Sequence, residues 1–361
     1  MTWLLTILGA EVVKVENPSG GDQARSLGPD ANSPFFAAVN RNKRSVTLNL
    51  NHPEGHRLFL DLLDLYEVLV EGFRPGTMER LGLGFETTSR RNPRLIHVSI
   101  TGYGHDGPYR LRAGHDLNYI SLSGITGITG TRDGIPGIPG VQIADIAGGS
   151  LMAMTGLLAA VIQREKTGRG QFVDTSMFHG ALSLATMVLA GVEAGLDVPA
   201  PGRMLLNGRF PCYGLYRTAD GRYMSLAALE FKFWQNFCLA TDREDLMRER
   251  FAGPEIISEL EALFASRTLD EWVELMTTSD TCCEPVLSLD EVLVSPIVEA
   301  RNMVIREADG RRILASPLKL SGSPSPEDLP APDLGAHTAE VLSQLGLSQD
   351  QLDSLAREGV I

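Results

Sequence analysis

The chain has 361 residues, 43% of them hydrophobic and 21% charged, and carries a formal charge of −13. That length suits two domains, and the apolar balance is that of a folded soluble protein, which excludes disorder as the default. So acidic a chain also opposes general binding to nucleic acid or anionic membrane, and any anionic ligand has to be met by a local basic patch.

The opening "MTWLLTILGA" is apolar but lacks the basic start of a secretory signal, and reads as the back half of a helix. Four β-branched runs follow, 11–15, 45–50, 67–71 and 94–100, with a helix predicted over 53–65 that opens on proline in its first turn. Strands alternating with helices in this way predict an α/β domain built on a parallel sheet. Two basic clusters, Asn40 to Arg44 and Arg74 with Arg80, lie near ends of those strands. A charge run is ordinarily a solvated face, but ligands of open α/β sheets bind at carboxyl strand ends, where these cations are able to meet phosphates.

Gly102-Tyr103-Gly104-His105-Asp106-Gly107 follows a strand and fits G-x-G-x-x-G. The dinucleotide fingerprint needs a helix to begin there, and Pro108 with the polar residues after it predicts a turn instead. No G-x-S-x-G, H-E-x-x-H or P-loop pattern occurs, so the search narrows to acids and bases. His115 stands in a glycine-bearing turn beside Asp116. Asp145 closes the apolar run "VQIAD", which reads as a strand, and precedes a long apolar helix. An aspartate at such a junction is an ordinary N-cap, yet the same place presents a carboxylate beside backbone amides able to hold a developing oxyanion.

The apolar runs 151–162 and 181–192 predict buried helices, each short of the ~20 residues that span a bilayer. Arg164, Lys166 and Gly168 supply the cations and the glycine stop expected at the end of the first. Residues 199–208 shift to Pro, Gly and Arg and read as a linker, and a hairpin turning at 219–221 opens a small domain over about 209–300. Glu230 lies between an apolar strand and an aromatic-rich helix start, where capping or plain exposure is the ordinary reading. Two amphipathic helices near the C-terminus are expected to pack back on the first domain. Four cysteines without C-x-x-C spacing indicate neither a disulfide framework nor a zinc site and suit a reducing compartment, with the cytoplasm as default.

Taken in order, "GAEVVKVENPSGGD", "NRNKRSVTLNLNHPEG", "EGFRPGTMERLGLG", "NPRLIHVSITGYGHDGPYR", "AGHDLNYISLSG", "IADIAGGSLMAMTGLLAAVIQREKTGRGQFVDTSM" and "LGAHTAEVLSQLG" resemble the family III CoA-transferase superfamily, and within it the α-methylacyl-CoA racemase branch. The resemblance implies an α/β fold with a large Rossmann-like parallel-sheet domain (1–195), a linker (196–208), a small α+β domain (209–300) and a C-terminal segment (301–361) returning to the first. It implies an interlocked homodimer and an acyl-CoA ligand, with no cofactor beyond the CoA moiety, no metal and no membrane span. Relatives begin with a strand and the front of a helix before "LGAEVVKVE", so the first strand of the sheet is expected to be missing here. Racemase pairs match His115 and Asp145, and a supporting glutamate matches Glu230. CoA contacts would fall at Asn17, Leu48, Asn49, Leu50, Asn51, Gly72, Phe73, Arg74, Arg80, Ala113, Gly114 and Asp116. Asn17 departs from the arginine of several relatives. The implied reaction is inversion at the α-carbon of a 2-methyl-branched acyl-CoA, and the alternatives are CoA transfer with Asp145 as nucleophile or an inactive acyl-CoA-binding paralogue.

Overall fold

The computed structural model describes residues 1–27, 33–307, 310–323 and 326–361. Its fold is mixed α/β with parallel sheets, and the chain divides into two compact units. One comprises Met1–His115, Ala144–Gly180 and Ile297–Ile361; the other comprises Asp116–Ile143 and Ala181–Pro296. Contacts therefore group 116–143 and 181–195 with the second unit, whereas the expected boundaries put both in the first.

In the first unit, β1 (Val13–Glu16) pairs in parallel with β2 (Arg44–Thr47), and β3 (Val68–Glu71), β4 (Ile96–Thr101) and β5 (Phe172–Ser176) form a parallel sheet in that order. The predicted helix over 53–65 is present as Pro53–Leu62. His52 Nδ1 accepts the Glu54 amide at 3.2 Å to start it, and Leu58, Phe59 and Leu62 form its buried face. A cluster of Leu48, Leu58, Leu83 and Leu95 includes Leu355 and Val360, and a second joins Val46 and Leu62 to Val341, Leu342 and Leu352. The helices Thr338–Ser343 and Gln349–Arg357 thus return to the first unit.

In the second unit, β6 (Tyr213–Arg217) and β7 (Tyr223–Ala227) form an antiparallel hairpin with β8 (Cys283–Pro285) on its edge. The core beside it is aromatic: Tyr216, Trp234, Phe237, Phe264 and Trp272 are all fully buried. Each indole finds an acceptor there, Trp234 Nε1 donating to the Leu246 carbonyl at 2.9 Å and Trp272 Nε1 to that of Phe264 at 2.8 Å.

The two apolar helices differ from expectation. The first runs without a break over Ile143–Thr167, long and apolar enough by length and composition to cross a membrane, although a core helix of a soluble protein meets the same description. Ala153, Leu157 and Ala160 do pack on β4, but Leu151, Leu158 and Ile162 are exposed. The second is two helices, Met177–Ser183 and Thr186–Glu193, and the latter buries nothing; Met187 is 74% exposed. Helices apolar all round need cover on every side, and the single chain supplies only part of it.

Candidate active site

The loops that follow β1, β2 and β3 carry most of the expected CoA contacts, each at the carboxyl end of a parallel strand. Strand β1 closes on Glu16, whose carboxylate takes Arg25 Nε and Nη2 at 2.8 Å each, Ser45 Oγ at 2.7 Å and the Asp22 amide at 3.0 Å. Burial pushes its pKa up, but those donors outweigh it and hold the carboxyl below its usual range. Asn17 comes next and is exposed; its Oδ1 accepts the Ser19 amide at 2.8 Å, which tightens the turn. The Leu48 amide donates to the Glu16 carbonyl at 2.8 Å, so the β1 and β2 loops start side by side.

Within the β2 loop, Leu48 and Leu50 turn their side chains toward the core, leaving Asn49 and Asn51 to face outward. Asn49 Oδ1 accepts the Asn51 amide at 3.1 Å, and the Asn49 amide donates to the Val360 carbonyl at 2.7 Å. After β3, Gly72, Phe73 and Arg74 are exposed, and the Phe73 amide donates to Glu71 Oε2 at 2.7 Å. Arg80 closes the short helix Thr77–Arg80 and reaches Thr77 Oγ1 at 3.0 Å.

The cations of the other basic cluster are engaged within the fold. Arg41 is buried against Asp328 at 2.6 Å and the Leu314 carbonyl at 2.7 Å, and Arg44 pairs with Glu11 and Glu340. Lys43 donates to Asn40 Oδ1 at 2.8 Å, and burial pushes its ammonium down to about 7. These cations close the fold, which leaves Arg74 and Arg80 as the exposed pair near the strand ends.

His115 is exposed in the loop stretch Ala113–Gly114–His115, and Asp116 opens the helix Asp116–Leu122. Asp145 is half-buried, but not where a strand hands over to a helix. A π-helix over Ile143–Leu151 replaces that junction, so Asp145 lies in its first turn rather than at an N-cap. A short apolar run fits a buried strand or a buried helix equally well, so periodicity could not separate them. The π-helix lies against the helix Met177–Ser183 at backbone contact: a Cβ on Gly180 would sit 1.9 Å from the Gly148 carbonyl oxygen. Only glycine permits that approach, which fixes the segment carrying Asp145. Stretches of π-helix occur often at functional sites, and a carboxylate in the first turn sits at the positive end of the helix dipole.

Glu230 is exposed at the N-cap position of Phe231–Ala240 and makes no capping bond with its side chain. It belongs to the second unit, whereas His115 and Asp145 belong to the first. The ordinary capping role is therefore unfilled. Among the described residues no three His, Cys, Asp or Glu side chains are grouped to hold a metal ion.

Sequence reasoning missed one cluster. On β4, His97, Ser99 and Thr101 share a face and are all buried, against the usual rule that a strand seals its apolar residues and shows its polar ones. The run 94–100 reads as a strand, but nothing local in it shows that its polar members are buried.

The model of the family described as CoA-transferase family III matches residues 1–338. Human alpha-methylacyl-CoA racemase is 32% identical over 99% of this chain and 92% of its own length. The succinyl-CoA–L-malate CoA-transferase beta subunit of Chloroflexus aurantiacus is 33% identical over 99% and 93%. Among solved structures, a CAIB/BAIF family protein from Brucella suis superposes with a TM-score of 0.81 at 30% identity, covering 95% of this chain and 94% of that one. On this similarity along almost its entire length, the chain belongs to the family III CoA-transferases.

Proposed function

We propose that the protein is a 2-methylacyl-CoA racemase. The observation that carries this reading is the histidine at position 115, in the same compact unit as Asp145. The thioester carbonyl acidifies the α-hydrogen, and removing it leaves a planar enolate that accepts a proton on either face. His115 takes the proton from one face and Asp145, as its acid, returns one to the other; in the reverse direction they exchange roles. Each such group contributes roughly 10²–10⁴-fold. Backbone amides at the start of the π-helix would stabilise the enolate oxygen, each donor being worth about 3–4 kcal/mol.

CoA enters this reading through the loops after β1, β2 and β3, with Arg74 and Arg80 toward its phosphates. The exposed apolar faces of 151–162 and of Thr186–Glu193 support a homodimer, in which a second copy supplies the missing cover. The cytoplasm is the proposed compartment.

Transfer of CoA between carboxylic acids is the second reading, favoured by transferase relatives that are as similar as the racemases. There Asp145 attacks the thioester to form a mixed anhydride and His115 takes no part. In deuterated water, a racemase places deuterium at the α-carbon of a single-stereoisomer 2-methylacyl-CoA with no acceptor acid present, and His115→Ala suppresses it by roughly 10²-fold or more. CoA movement that depends on an acceptor acid, with no α-exchange and no effect of His115→Ala, would overturn the racemase assignment.

A further inference from the structure

We propose that Glu71, Ser99 and His105 form a hydrogen-bonded relay that positions the Gly72–Phe73–Arg74 loop for CoA, a role that rests on the reading of that loop as part of the CoA site. In register, Glu71 stands opposite Ser99 across the β3–β4 pair. Both residues are buried on that pair of strands, and the Glu71 carboxylate accepts the Phe73 amide at 2.7 Å. From the other side, His105 Nε2 lies 2.7 Å from Ser99 Oγ. A carboxylate only accepts, so in the relay the serine proton is directed at Glu71 and Ser99 Oγ accepts from the Nε2–H tautomer of His105. The relay therefore runs from imidazole to hydroxyl to carboxylate to the backbone of the loop.

His105 reaches back to a residue six positions earlier because the turn between them is sharp. Gly104 adopts φ +94°, a region closed to most side chains, and its amide is held by Thr101 Oγ1 at 2.8 Å. The His105 amide donates to Asp174 Oδ2 at 3.2 Å, and its ring stands edge-on to Phe172 with centroids 5.0 Å apart. The glycine pattern over Gly102 to Gly107, where no helix begins, thus has a use: it delivers the half-buried imidazole to Ser99 on the sheet.

The trio holds the residue types of a hydrolytic triad in the wrong order. A nucleophilic serine needs the histidine between itself and the acid, with its oxygen open to substrate. Here the serine is the middle member and is fully buried, so it transmits position rather than attacking. What it positions is the exposed loop: Phe73 and Arg74 stand free of the core, with the Phe73 amide tied down behind them.

The test is calorimetric titration of free coenzyme A into the full-length protein and its variants, with KM and kcat for α-exchange measured alongside. Ser99→Ala and His105→Ala are expected to weaken CoA binding about tenfold, the loss of one hydrogen bond to a charged network, and to raise KM more than they lower kcat. His105→Gln keeps an N–H toward Ser99 and is expected to restore the affinity. Because His105 is half-buried, its variants fold even if Ser99→Ala does not. Wild-type affinity in folded His105→Ala, or failure of His105→Gln to recover binding, overturns the relay while leaving the racemase reading intact. Absence of CoA binding by the wild-type protein overturns both.

Discussion

On β4, Ile96 and Val98 point one way and pack against Ala153, Leu157 and Ala160, while His97, Ser99 and Thr101 point the other way and are equally sealed. The apolar face is held by contact area, a term that hardly depends on pH. The polar face is held by specific partners: Thr88 Oγ1 beside His97 Nδ1 at 3.4 Å, His105 on Ser99, and Thr101 on the Gly104 amide. One strand thus separates two tasks. Its apolar side anchors the sheet to the helix that continues from Asp145, and its polar side sets the loops where CoA is expected to bind.

The largest expected effect lies on the apolar face. Leu157→Ala removes a fully packed side chain and should cost about 2–5 kcal/mol in denaturant unfolding. The size of that loss should be the same at pH 7 and pH 5, since the deleted contacts are apolar and the Met1 amine beside the cluster, which burial lowers to about 6, titrates in both proteins. A pH-dependent loss would break the contrast between the faces.

On the polar face the next effect is one of pH. Burial pushes the His97 imidazole down from 6.5 to about 4, and its Nε2 has no hydrogen-bond partner among the described residues. The unfolded chain therefore binds a proton that the folded chain refuses throughout that window. Stability is full above about pH 6.5 and falls as the pH drops toward 4, by at most about 3 kcal/mol from this group. Subtracting the pH profile of His97→Asn from that of the wild type isolates the slope, because the raised Glu71 carboxyl titrates in both. If the two profiles run parallel, the buried imidazole is not its source.

How far this was readable in the sequence follows from the same two faces. The strand was legible, as were the helix over Pro53–Leu62, the hairpin and the returning C-terminal helices, because each rests on a local pattern. The polar file was not legible. Whether a histidine or serine at the open positions meets water or a buried carboxylate depends on Glu71 and on a turn six residues downstream. Asp145 was located, but its π-helix was hidden, because that geometry depends on a glycine contact between positions 148 and 180. The exposed sides of Thr186–Glu193 were also misjudged, since composition reports that a helix needs cover and not which chain provides it.

Thr101→Val sharpens the polar side further. The substitution keeps the shape and removes the oxygen that accepts the Gly104 amide, leaving a buried donor unpaired at a cost of about 1–3 kcal/mol. It should also loosen the turn that carries His105, so CoA affinity is expected to fall together with stability. A variant that loses stability while binding CoA normally would detach the turn from the loop.

The smallest effect makes the sharpest comparison. Ile96 is fully buried beside His97 in sequence but on the opposite face. Ile96→Val deletes one methyl(ene) group against the helix and should cost about 0.5–1.5 kcal/mol, measured as a shift in unfolding midpoint at constant denaturant slope. Because the change is apolar and turned away from Glu71, Ser99 and His105, neither the pH profile nor the CoA affinity should move. If so mild a substitution shifted either one, the strand would be transmitting strain between its faces, and the loop would owe its position to packing on the helix as well as to the relay.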